Sequence, residues 1–92
     1  MHEFTVEDTF LLTGRGLVAV GEGRFDDLRP GTAYRAEVRT PAGATLWFPA
    51  YKEWLLIRTS PVVEREAFWL KGATRDDVPV GSTVRILVPD SP

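Results

Sequence analysis

Glycine and proline punctuate this chain at short intervals, at Gly14, Gly21 to Gly23, Pro30-Gly31, Pro41 to Gly43, Gly72 and Gly81. Turn residues so closely spaced leave no convincing room for a helix of a dozen residues and favour short strands joined by tight connections. Between them the apolar residues recur with period two, the spacing that lines one face of a half-buried strand. Phe4, Val6, Phe10 and Leu12 form one such set, with Asp8 as its polar exception. Leu17 to Val20 follows after Gly14-Arg15-Gly16, so a hairpin is expected from about Phe4 to Val20. Tyr34, Ala36 and Val38 alternate with Arg35, Glu37 and Arg39, and Phe68 to Lys71 and Thr83 to Val88 read the same way. The expectation is an all-β, small, closed or nearly closed antiparallel barrel.

With 92 residues there is room for one core and no second domain: a single domain over 1–92, its core about 4–88, with 89–92 a frayed tail. Ordering the chain costs on the order of 140 kcal/mol at roughly 1.5 per residue, so most large apolar side chains are needed inside. One stretch resists that tidy allocation. From Leu46 through Trp47, Phe48, Tyr51 and Trp54 to Ile57 the chain is apolar on both faces as a strand, and a short helix starting near Pro49 is the alternative. As a strand, it implies something covering the outside of the barrel.

The chemistry available is narrow. There is no cysteine, and His2 is the only histidine, beside the initiator methionine where disorder outweighs a general-base role. Asp26-Asp27 and Asp76-Asp77 stand in turn contexts, where carboxylates cap local N–H groups more often than they bind metal. Gly14-Arg15-Gly16 and Gly21-Glu22-Gly23 are too short to cradle a phosphate, so no GTP binding or hydrolysis is expected. Catalysis, cofactors and metal are not expected. A net charge of −2 argues against strong sequence-independent nucleic-acid affinity, though a local basic patch remains open. No apolar run approaches the ~18 residues of a membrane span, and the acidic start lacks the build of a signal peptide, so the cytoplasm is the expected compartment.

The order of the turns adds a family resemblance. Phe4 to Gly21, with Asp8, Phe10, Leu12, Gly14-Arg15-Gly16 and the Val-rich run ending in Gly21, resembles the opening of domain 2 of the translational GTPases, such as elongation factor Tu. Gly31 follows ten residues after Gly21, and Leu70-Lys71-Gly72 precedes Asp76-Asp77-Val78-Pro79-Val80-Gly81 as the family's closing motif would. The resemblance covers nearly the whole chain and implies a six-stranded barrel with Gly14, Gly16, Gly21, Gly31, Gly72 and Gly81 at its structural turns. In the family this domain packs beside a GTP-binding domain, helps hold the aminoacyl end of tRNA and can lean on ribosomal RNA. Arg15 and Lys71 are the basic positions that match; Tyr51 falls where the family carries a Glu near the terminal adenosine.

Two functions follow as expectations. The first is a non-catalytic, stand-alone module binding a protein partner, or a second copy of itself as a homodimer, through Trp47, Tyr51, Trp54 and Leu56. The second is an RNA-binding accessory touching tRNA or ribosomal RNA through Arg15, Arg35, Arg39 and Lys71. Arg15 also has a plainer possible task, covering the barrel end and pairing with Asp8 or Glu7.

Overall fold

The structure, a computed structural model, describes residues 2–23, 25, 27–53 and 65–88. Trp54, Leu55, Leu56 and Ile57 and the expected tail lie outside the described residues. Among the described residues there are seven strands: β1 (His2–Thr5), β2 (Asp8–Leu12), β3 (Gly16–Glu22), β4 (Tyr34–Arg39), β5 (Thr45–Glu53), β6 (Arg65–Lys71) and β7 (Thr83–Leu87). They form one sheet in the order β1-β7-β4-β5-β6-β3-β2, every pairing antiparallel. Among the described residues there is no helix. The all-β, barrel-like architecture is as expected.

The strand count is not. The apolar run from Phe4 to Leu12 does not form one arm of a hairpin; it breaks at Val6-Glu7 into two strands at opposite ends of the sheet order. Phe4 pairs with Val84 on β7, whereas Asp8 pairs with Val20 on β3. At the corner Val6 N–H donates to the Ser82 carbonyl (2.8 Å), and Glu7 N–H donates to the Val20 carbonyl (2.8 Å). Because the two outermost strands are consecutive in the chain, this corner draws the sheet's ends together and curls it. Gly21 makes the close approach possible. A Cβ there would lie 2.3 Å from the Thr5 carbonyl oxygen and 2.5 Å from the Phe4 ring. Gly21 is therefore not a turn residue, as the sequence suggested, but a mid-strand gap into which β1 fits.

The inward face follows the period-two pattern. Leu17 and Ala19, Ala36 and Val38, Phe68 and Leu70, and Val84 and Ile86 are buried in one cluster with Phe4, Val6 and Val78. Phe4, Phe25 and Phe68 are mutual neighbours, with ring centroids 5.8 to 6.2 Å apart. Phe25 comes from the β3–β4 connection and plugs the open end. Burying a ring such as Phe68 completely contributes about 1.5–3 kcal/mol.

The helix alternative starting near Pro49 is overturned over the described part of that stretch, since Pro49 to Glu53 belong to β5. Tyr34 pairs with Ala50 and Val38 with Leu46, so β4 supplies a complete antiparallel partner that a helix would have to forgo. Pro49 lacks an N–H to give that ladder, and it sits on the exposed side of the strand.

Candidate partner-binding surface

Along β5 the alternation sends Leu46, Phe48, Ala50 and Lys52 inward and Trp47, Pro49 and Tyr51 outward. Trp47 is 44% exposed, a large fraction for an indole in the middle of a sheet. The Arg35 guanidinium carbon stands 4.6 Å from its ring centroid, a cation–π contact contributing about 0.5–1 kcal/mol at such a site. Tyr51 is the cross-strand partner of Trp69 on β6, and their rings lie 5.1 Å apart with a 31° tilt. The register continues the row: Trp69 opposes Val18 on β3, and Val18 opposes Phe10 on β2, itself 44% exposed. Cross-strand partners share a face, so Phe10, Val18, Trp69 and Tyr51 form one outward apolar row. On the same face Val18, Val20 and Ala67 make a second buried cluster, with Leu12 and Trp69 packed against it.

The row ends beside an open groove of about 590 Å³ at the β2–β3 turn, lined among others by Leu11, Leu12, Arg15, Trp69, Lys71 and Thr74. Its shape depends on two turns held together. The Arg15 carbonyl accepts the Trp69 indole N–H (3.1 Å) and the Gly72 N–H (3.1 Å). Gly16, at φ +124°, faces Lys71 in the register, and a Cβ on it would stand 2.3 Å from the Leu70 carbonyl oxygen. Only glycine fits both the dihedral and the space. Gly14, Gly31, Gly72 and Gly81 take positive φ at connections between strands, as the sequence implied.

The four candidate RNA-contacting cations do not form one strip. Arg15 and Lys71 flank the groove, whose lining residues include no carboxylate. Arg35 lies on Trp47, two strands away in the sheet order from β6. Arg39 is 3.6 Å from Glu37 and lies with Glu3, Thr83 and Arg85 around a small polar depression where the charges alternate in sign. No ion pair joins Arg15 to Asp8, because Asp8 lies at the far end of the β2–β3 ladder from the turn that carries Arg15.

Sequence reasoning missed a buried polar pair. Lys52 falls on the inward side of β5, and its Nζ donates to the carbonyls of Phe25 (2.6 Å) and Leu28 (3.2 Å). Glu66, equally buried, lies 3.5 Å from that ammonium and accepts the Phe25 N–H (2.7 Å). Together they fasten the Phe25–Leu28 connection across the barrel end. The signal was present, since Lys52 continues the inward set Phe48-Ala50 at period two. His2 is not disordered: it lies in β1, its ring edge-on to Phe25 at 5.3 Å and its Nε2 2.8 Å from Asp27. That hydrogen bond holds the Asp27 carboxyl below its ordinary range. Asp77 and Thr74 exchange bonds, Thr74 N–H to the carboxylate (3.0 Å) and Asp77 N–H to the hydroxyl (3.3 Å), a local turn device.

Among the described residues no group of three or more His, Asp or Glu is placed to hold a metal ion. No helix among them is long and apolar enough to cross a membrane. No family model, curated protein or solved structure matches the chain.

Proposed function

We propose that this chain is a non-catalytic binding module, with a barrel of the translation-factor domain 2 kind, that docks a protein partner on its outward β5–β6–β3 face. The exposed Trp47 carries the reading. An indole 44% open to water, on the same face of β5 as Tyr51 with its neighbour Trp69, gives the rigid aromatic area that protein interfaces concentrate at their centres. In support of the translation-factor likeness, the two motifs it rests on adjoin: Gly14-Arg15-Gly16 and Lys71-Gly72 share hydrogen bonds and register. A protein is favoured over RNA because the basic residues are divided between the groove, an indole and a carboxylate rather than gathered along the aromatic row.

The carboxylate-free groove between Arg15 and Lys71 supports the second reading, an RNA contact. Affinity capture from the native host with the parent and with Trp47→Glu separates them. The expected outcome is a protein retained through high salt and nuclease treatment, and lost with Trp47→Glu. A ligand that is RNA, that is shed between about 50 and 200 mM salt and that survives Trp47→Glu but not Arg15→Ala would replace the first reading with the second.

A further inference from the structure

The side of β2 away from β3 presents backbone groups that the β2–β3 ladder does not use. Thr9 N–H is taken by the Asp8 carboxylate (2.8 Å), so it points away from β3, and alternation turns the N–H and C=O of Leu11 the same way. Among the described residues no strand lies against this edge. Exposed edges are ordinarily blunted by Lys, Pro or a bulge within the strand, yet β2 reads Asp-Thr-Phe-Leu-Leu, with Phe10 44% and Leu11 52% exposed.

We propose that β2 pairs antiparallel with β2 of a second copy of this chain, about a two-fold axis through Phe10. The outward groups narrow the register, and centring on Phe10 is the choice that pairs both Thr9 and Leu11 within the strand. A ladder centred on Phe10 sets Thr9 of each copy against Leu11 of the other, so the residues whose N–H and C=O face outward become the hydrogen-bonded pairs. Phe10 then meets Phe10 at a non-hydrogen-bonded position, where side chains approach most closely. Shifting the register by one residue would match outward-facing groups with inward-facing ones.

Charge selects the same arrangement. Asp8 of one copy comes opposite Leu12 of the other, beside the turn that carries Arg15, and pairing releases its carboxylate from Thr9 N–H to meet that guanidinium. A parallel pairing would set Asp8 against Asp8. Because the strand is acidic at one end and its following turn is basic, it is complementary to itself, which an isologous two-fold contact requires. The outward row Phe10–Val18–Trp69–Tyr51 would then continue through the axis into the second copy. This contact is independent of whether the outward face has a protein ligand.

The chain contains no cysteine, so Phe10→Cys carries a single thiol that meets its own symmetry mate. Under mild oxidation Phe10→Cys is expected to give a disulfide-linked dimer in high yield, and Trp47→Cys is not. Sedimentation equilibrium of the parent is expected to show a reversible dimer. Leu11→Lys should weaken it at least about tenfold by placing an ammonium in the new ladder. Asp8→Arg should weaken it too, and adding Arg15→Asp should restore it. A parent that stays monomeric into the millimolar range would overturn the proposal, and so would a dimer that is linked by Trp47→Cys rather than Phe10→Cys or that withstands Leu11→Lys.

Discussion

Removing the ammonium of Lys52 should destabilise the protein more than any other single change to a polar side chain described above. The Lys52→Met variant keeps an unbranched apolar stem in the same channel, so little packing is lost. What disappears is the donor to the Phe25 and Leu28 carbonyls, 2.6 and 3.2 Å away, and the countercharge of Glu66 at 3.5 Å. Both ionic side chains are 9% exposed, so water cannot take over. Breaking one partner of a buried pair costs about 3–5 kcal/mol, and since Glu66 keeps the Phe25 N–H, the lower end, about 3 kcal/mol, is expected. Glu66→Gln retains an acceptor for that N–H and leaves the ammonium with two carbonyls, so about 2 kcal/mol is expected. The double variant has no orphaned charge and should cost less than the sum by about 1–2 kcal/mol. Urea denaturation of the four proteins gives the cycle. Single variants costing under about 1 kcal/mol, or costs that simply add, would show that the pair does not fasten the Phe25–Leu28 connection.

Four further outcomes are expected. Gly14→Ala, with φ +76° and open space around it, should cost about 1 kcal/mol, whereas Gly16→Ala and Gly21→Ala, each meeting a carbonyl oxygen at 2.3 Å, should cost more than twice that by thermal unfolding. Ser82→Ala should stabilise by about 1 kcal/mol in the same assay, because the Ser82 hydroxyl is fully buried with no hydrogen-bond partner. The Asp27 carboxyl should titrate below its ordinary range by NMR, and His2→Ala should return it there. Since its folded value is lowered, the contribution of this contact to stability is present above the ordinary carboxylate range and lost as pH falls through the lowered value. Far-UV circular dichroism should be β-rich, and a helix-dominated spectrum would contradict the fold.

Much of this architecture was legible because it rests on period and punctuation. Tyr34-Ala36-Val38 alternates cleanly and is an inward row, and Gly14-Arg15-Gly16 does close a hairpin. The break at Val6-Glu7 was not legible, since both halves of the Phe4–Leu12 run keep the same alternation and only the register with β3 and β7 separates them. Phe25, flanked by polar residues, gave no hint that it would plug the barrel. Lys52 continues the inward set Phe48-Ala50 at period two, but its partners Phe25, Leu28 and Glu66 are distant in sequence. For the surface, alternation puts Trp47 and Tyr51 on one face of β5, but the row from Tyr51 through Trp69 to Phe10 needed strand order, which local pattern does not encode. That Arg15 and Lys71 lie at one groove while Arg35 and Arg39 lie elsewhere on the sheet likewise depends on strand order.

The most direct test of the outward face is a photo-crosslinking residue at position 47 in the native host, with the same residue at the exposed Glu3 position on the edge strand β1, three strands from β5, as control. The expected result is a discrete, nuclease-resistant protein adduct from position 47 that position 3 does not give. RNA adducts alone, or no adduct from position 47, would contradict a protein-docking role for this face.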